Sequence, residues 1–198
     1  MKYYPIFVDL TDKRVLIVGG GPVAERKTDG LLKAGARVTV ISPTVTDTLK
    51  ALGTENHITV HRREYRKGDI DGYTLVIAAT DSETVNDQVY SEAQAEKALV
   101  NIVDRPQPGC FIAPAIVERG DLVCALSSSG KSPFFIKQLK HVIDRLLYDD
   151  LGDDLEALAS IRAHILSLQN LSEEDKKREF THKLQPEIDK ILRKLTET

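Results

Sequence analysis

Three consecutive glycines, Gly19, Gly20 and Gly21, follow the apolar run 15–18 and precede Pro22, Val23 and Ala24. Glycine lets the backbone turn tightly and approach phosphate oxygens closely, and the N–H groups that open the next helix favour an anion. The spacing Gly19-x-Gly21-x-x-Ala24 is the alanine-ended form of the dinucleotide fingerprint, placed between a strand and a helix as that fingerprint requires. It predicts a dinucleotide site. A second candidate is Asp104, which follows Asn101-Ile-Val at the end of a largely apolar strand and precedes the stiff Arg105-Pro-Gln-Pro108 stretch. A carboxylate there could take a proton, although the position suits a loop-capping aspartate equally well. A third is Ser127-Ser-Ser-Gly130, whose hydroxyls and N–H groups could bind a carboxylate or phosphate but which, read alone, is a turn. The histidines, His57, His61, His141, His164 and His182, show no close metal-ligand spacing, and Cys110 and Cys124 form no Cys-x-x-Cys pair, so no resident metal site is expected.

These residues need elements to hold them. Residues 15–18, 37–41, 58–65, 74–80 and 99–103 read as strands, separated by helical or polar segments. Ala24, Thr28, Leu31 and Leu32 recur at helical spacing and Gly35 stops that helix; Asp81 is read as the cap of another that runs to about Lys97, with Val85, Val89, Ala93 and Ala95 near its buried side. This alternation predicts a Rossmann-like parallel sheet over residues 1–112. Ligands collect beyond the carboxyl ends of such strands, so Gly19 to Val23, Ser42-Pro43, Thr80-Asp81 and Asp104 could line one cleft. Ser42 stands where an NAD site often has an acidic residue, and serine repels a 2′-phosphate less than a carboxylate would, which leaves NAD and NADP both open.

The pattern then changes. Residues 111–117 and 122–126 read as a hairpin-like pair joined by Glu118-Arg-Gly-Asp121, and Ser132-Pro133 opens a helix with the stripe Phe135, Leu139, Val142 and Leu146. Such a stripe is core or a subunit seam. Beyond Gly152, Leu155, Leu158, Ile161, Ile165 and Leu168 mark another helix, and Ser172-x-x-Asp175 is a capping signature for a charged one. The fold class is therefore α/β: the sheet domain, a small α+β region over 113–147, and a C-terminal helical region over 148–198.

With 198 residues and ordinary hydrophobic and charged fractions, the chain can bury a core of its own. No apolar run approaches the roughly 20 residues of a membrane span, and Met1-Lys-Tyr-Tyr-Pro5 leads almost directly into the first strand, without room for a signal peptide. A cytoplasmic protein with no membrane partner is expected. The formal net charge of −3 argues against a broad nucleic-acid surface.

Six segments combine into one ordered pattern: Tyr4-Pro-Ile-Phe-Val-Asp-Leu10, the glycine turn through Lys27, Ala78-Ala-Thr-Asp81 with Asn86, Asn101-Ile-Val-Asp104, Phe111-Ile-Ala-Pro-Ala115 and Ser127-Ser-Ser-Gly-Lys-Ser-Pro133. Over about residues 3–147 the chain resembles the siroheme synthase amino-terminal module, the precorrin-2 dehydrogenase and sirohydrochlorin ferrochelatase family; the helices beyond resemble it only loosely. The resemblance implies NAD as cofactor and NAD-dependent oxidation of precorrin-2 to sirohydrochlorin, with Asp104 as general base. In members with chelatase activity the same carboxylate is implicated in inserting ferrous iron, a substrate there, and the sequence does not decide whether this chain does both. The resemblance also implies that Gly19, Gly20, Gly21, Pro22 and Val23 hold the pyrophosphate while Ser42, Pro43, Thr80 and Asp81 flank adenosine and nicotinamide. Ser128 maps beside the tetrapyrrole, where Asn101, Arg105 and Lys131 are candidate contacts for a polycarboxylate substrate, and 113–147 maps to an intertwined homodimer region. Cys110 departs from the pattern, standing where members carry serine or aspartate. A regulatory module that senses NAD without catalysis is the competing reading; it has no need of Asp104 or of the serine-rich turn.

Overall fold

The computed structural model describes residues 2–103, 110–168 and 171–196. The chain divides into two compact units, Met1–Ala113 and Pro114–Thr198. The first contains β1 (Arg14–Val18), α1 (Pro22–Lys33), β2 (Arg37–Ile41), α2 (Asp47–Thr54), β3 (Thr59–His61), β4 (Leu75–Ala78), α3 (Glu83–Ala95) and β5 (Leu99–Ile102). Its strands form one parallel sheet in the order β3-β2-β1-β4-β5. Parallel strands connected by helices are covered on both faces, which is why β1 and β4 are unbroken apolar runs and not alternating ones. Val15, Ile17, Val38, Val40 and Ile77 pack with Ala24 and Leu31 of α1 and Leu49 of α2, while Leu16, Val18, Val76, Ala78 and Val100 pack with Val89 and Ala93 of α3.

Local chemistry sets where these elements start and stop. Pro22 opens α1 with the φ a helix needs and no N–H to satisfy, and Gly35, at φ +72°, lets the chain leave it. Thr46 caps α2, its hydroxyl accepting from Leu49 N–H at 3.3 Å. Ser82, not Asp81, caps α3: its side chain accepts from Val85 N–H at 3.4 Å. Two further expectations need correction. Ala95 is exposed, and the core-facing positions of α3 are instead Asn86, Val89 and Ala93. The strand read over 58–65 is only three residues long, because Arg63 N–H turns back onto His61 O at 2.9 Å and the Arg63 guanidinium is held by both Asp69 carboxylate oxygens, each at 2.7 Å. That guanidinium, together with Arg66 N–H, holds the Asp69 carboxyl below its ordinary range. Beside it, Glu92 accepts from Tyr65 O–H and from Gly68 N–H, both at 2.6 Å, which fastens the 63–69 turn to α3. Burial and then the Glu92 carboxylate push the Tyr65 phenol well above its usual value.

The second unit contains β6 (Ala115–Arg119), β7 (Leu122–Leu126), α4 (Pro133–Leu146), α5 (Leu151–Ser167) and α6 (Glu173–Thr196). β6 and β7 form the antiparallel pair, with Ala115 opposite Leu126 and Arg119 opposite Leu122. β6 begins at Ala115 and not at Phe111, since Pro114 cannot donate to a ladder and Phe111 O is engaged elsewhere, by Asn101. Arg119 clasps the end of α4: its guanidinium donates to Leu147 O at 3.1 Å, Asp144 O at 2.8 Å and Asp144 Oδ1 at 3.2 Å. The hairpin turn meets α5 backbone to backbone, because a Cβ added to Gly152 would stand 3.1 Å from Gly120 Cα. Asp154 on α5 accepts from Tyr148 O–H at 2.6 Å and Lys194 Nζ at 2.7 Å, tying in the end of α6. Burial and then that carboxylate push the Tyr148 phenol up to about 12.

Candidate functional site

In the order β3-β2-β1-β4-β5 the chain leaves β1 toward β2 on one side and later places β4 on the other, so the carboxyl ends of β1 and β4 flank a crevice. Gly19 follows β1 there at φ +123°, and a Cβ on it would stand 2.2 Å from Ala79 O. Gly20 is confined on its other side: its missing Cβ would lie 2.1 Å from Thr44 O, 2.9 Å from Ser42 Oγ and 2.9 Å from Val45 Cγ1, and its carbonyl accepts from Thr46 N–H at 3.0 Å. Gly21 differs from both, with nothing within 4 Å of where its Cβ would be. The first two glycines thus let three segments of backbone touch, while the third leaves open space against the exposed start of α1. α1 carries no side-chain cap hydrogen bond, so its opening N–H groups and dipole are left for an anion. These features fit the pyrophosphate of a dinucleotide. Pro22 is exposed and Val23 half-buried at that helix start.

The other cofactor candidates sit on the same sheet edge. Ser42 is buried at the end of β2, with its N–H donating to His61 O at 3.1 Å, and Pro43 is exposed beside it. Thr80 follows β4, and a reciprocal pair with Asn86 holds it: the Thr80 hydroxyl donates to Asn86 Oδ1 at 2.8 Å and Asn86 Nδ2 donates to Thr80 O at 2.9 Å. Asp81 is exposed next to it. Asn86, buried on the core side of α3, is therefore what fixes the turn after β4. Its signal was present in the sequence as a polar residue three and seven positions before Val89 and Ala93, on the apolar face.

Asn101 is buried on β5, and its Nδ2 donates to Phe111 O at 3.0 Å. That bond makes it a tie for the returning chain. Beside it Cys110 N–H donates to Val100 O at 3.0 Å, and Cys110 Sγ accepts from Val100 N–H at 2.9 Å. The thiol therefore makes the kind of polar contact that a serine or aspartate at this position would make. Asp104 and Arg105 lie outside the described residues; the residue before them, Val103, donates to Ala78 O at 3.0 Å at the crevice end of β4.

Ser128 and Lys131 belong to the second unit. Ser128 Oγ accepts from Ser132 N–H at 3.0 Å, Ser127 Oγ accepts from Ser129 N–H at 3.0 Å, and Ser132 Oγ caps α4 through Phe135 N–H at 3.3 Å. The serine-rich turn is thus a chain of caps, with Ser129 at φ +56° and Gly130 at φ +82°. Lys131 is exposed. Among the described residues no cluster of three or more His, Cys, Asp or Glu side chains could hold a metal ion, and no helix is long and apolar enough to cross a membrane.

A family model described as "Putative NAD(P)-binding" matches residues 6–115, the sheet unit with its glycine turn. The chain belongs to this NAD(P)-binding family. Among curated relatives, it is 42% identical over 165 residues to siroheme synthase 1 of Aeromonas salmonicida, covering 83% of this chain and 35% of that protein. It is 39% identical over 184 residues to siroheme synthase 1 of Serratia proteamaculans, covering 92% of this chain and 38% of that protein. The chain thus spans little more than a third of the length of these relatives. Among solved structures, SirC, a precorrin-2 dehydrogenase, superposes with a TM-score of 0.78 at 27% identity, covering 99% of this chain and 100% of that one. The likeness to siroheme synthases read from the six segments agrees with these matches, and the likeness to SirC extends through the C-terminal helices that the motifs did not reach.

Proposed function

We propose that this chain oxidises precorrin-2 to sirohydrochlorin with NAD. The observation that carries the reading is the likeness to SirC over nearly the full length of both chains, hairpin and helical unit included; a family NAD(P)-binding domain by itself would suit a sensor as well as an enzyme. When bound, NAD supplies a two-electron acceptor for the hydride that leaves the macrocycle. Gly21, with no side chain between its backbone and open space, and the uncapped start of α1 with Pro22 and Val23 hold the pyrophosphate. Ser42 and Pro43 border the ribose, and Thr80, braced by Asn86, and Asp81 border the nicotinamide side. Asp104 accepts the proton that accompanies the lost hydride as a new ring double bond forms. Ser128, Asn101, Arg105 and Lys131 serve the polycarboxylate substrate, Asn101 by holding Phe111 and the cations by offsetting charge.

Ferrous iron enters this reading as a substrate of a second activity, in which Asp104 would accept pyrrole protons as the metal is inserted. A homodimer also belongs to it. Phe134, Phe135, Val142 and Leu146 on α4 and Ile116 and Val123 on the hairpin are large apolar side chains exposed in the single chain, the kind of patch that a partner covers. A cytoplasmic setting agrees with the two cysteines being free thiols.

The test is anaerobic incubation of the purified chain with precorrin-2 and NAD, following the sirohydrochlorin spectrum, for the parent and for Asp104→Ala. The parent should turn over and the variant should fall by about a hundredfold or more, the usual scale of a lost general base. No turnover by the parent would return the chain to the sensor reading. Unchanged turnover by the variant would remove Asp104 from the chemistry, and ferrous iron added to preformed sirohydrochlorin tests chelation separately.

A further inference from the structure

Asn86 stands on the core side of α3 with Val89 and Ala93 and is only 6% exposed. A buried amide is costly unless both of its ends are paired, and here both ends go to one residue. Thr80 O can only accept, so the Asn86 amide nitrogen must face it, and Oδ1 is then left to the Thr80 hydroxyl; the side chain has one usable orientation. The same hydroxyl oxygen accepts from the N–H of Ser82, the cap of α3, at 3.2 Å. The peptide just before Thr80 is a wall of the glycine turn. A Cβ on Gly19 would stand 2.2 Å from Ala79 O and 3.3 Å from Thr80 N, and Ala79 N–H donates to Val18 O at 2.8 Å. Gly19 therefore lies against a peptide whose far end Asn86 holds.

We propose that Asn86 is a positioning residue of the dinucleotide site: acting through Thr80, it keeps the Ala79–Thr80 peptide where Gly19 rests on it, and so sets the shape of the turn that receives the pyrophosphate. The proposal rests on the dinucleotide reading of that turn. It extends the binding machinery from the residues that line the crevice to a covered helix side chain that acts only through its neighbour. An apolar side chain at 86 would pack beside Val89 as well, yet it would leave Thr80 O without this donor and its hydroxyl without this acceptor.

Isothermal titration of the full chain with NAD+, run beside thermal melting, tests this without requiring turnover. Val89→Ala is the control for stability alone, since Val89 is fully buried on the same helix face and packs among apolar side chains. It should melt lower than the parent and keep NAD+ affinity within about twofold. Asn86→Ala should weaken NAD+ about tenfold, the scale of a lost hydrogen bond. Asn86→Asp keeps the volume and the acceptor but loses the donor to Thr80 O; it should weaken NAD+ to a similar degree, and it carries the test if the alanine chain does not fold. Because Asn86 acts through Thr80, the double variant Asn86→Ala with Thr80→Val should bind NAD+ within about twofold of Thr80→Val alone. Affinity within about twofold of the parent in both Asn86 variants, whatever their melting temperatures, would reduce Asn86 to a core residue and overturn the proposal. Losses that multiply in the double variant would overturn it too. If the parent binds no NAD+, the glycine-turn reading fails, and the proposal with it.

Discussion

Gly19 and Gly21 are two residues apart and carry different burdens. At Gly19 a methyl group would meet the Ala79 carbonyl at 2.2 Å on a backbone already at φ +123°, so Gly19→Ala should cost about 3 kcal/mol of stability, measured by denaturant unfolding. At Gly21 the space is empty. Gly21→Ala should keep stability within about 1 kcal/mol of the parent, since Gly-to-Ala at an N-cap loses only a modest preference, yet weaken dinucleotide binding by at least about tenfold. Equal stability losses at the two positions would show that Gly21 is a packing residue. A second residue-scale expectation concerns acid. The folded Asp69 carboxyl is held below its ordinary value of 3.8, chiefly by Arg63, so its stabilising effect is complete above that value and is lost as the pH falls beneath it through the folded-state value. Asp69→Asn should therefore melt lower than the parent at neutral pH, with the difference closing below the ordinary carboxylate value; a difference that stays constant through the acid range would refute the linkage.

Among the elements, the Gly120–Gly152 contact is the most demanding. Each glycine's missing Cβ would stand within 3.1 Å of the other's backbone, so neither the hairpin turn nor the start of α5 can accept a side chain without moving apart. Gly152→Ala should cost about 1–3 kcal/mol and leave the sheet unit's own core contacts untouched; a melting temperature equal to the parent's would show that the turn yields freely. At this scale much was legible beforehand. Buried parallel strands read as near-continuous apolar runs, so β1 and β4 announced themselves, and β2 and β5 did so with one polar residue each inside, Thr39 and Asn101. What the sequence concealed depended on partners distant along the chain. β3 ends early because Arg63 finds Asp69, and β6 starts late because Phe111 O is taken by Asn101 ten residues away. At the candidate site the glycine turn and Ser42 were readable from type and position. A polar Asn86 on the apolar face of α3 was visible too, but that it braces Thr80 was not, because the partner follows from tertiary packing.

For the whole molecule, the exposed apolar side chains of α4 and the hairpin matter most. Phe135, at 58% exposure, and Val142, at 43%, are costly to leave in water and are placed on a helix that has no buried residue in the single chain. If a second copy covers them, Phe135→Glu combined with Val142→Glu should convert a dimer to a monomer in light scattering. Helix content should be retained. A parent already monomeric at working concentration would sink the homodimer reading and leave the apolar face to another partner.

Cys110 has a consequence for solubility. Val100 sits on β5, the border strand of the sheet, and its N–H and C=O turn outward, where Cys110 receives the one through sulfur and supplies the other with a donor. An outermost strand with open amides is a template for any extended segment of another molecule. The thiol acts here as a stopper. Without it, as in a Cys110→Ala chain, the Val100 amide would stand uncovered, and heated or concentrated samples should precipitate sooner than the parent.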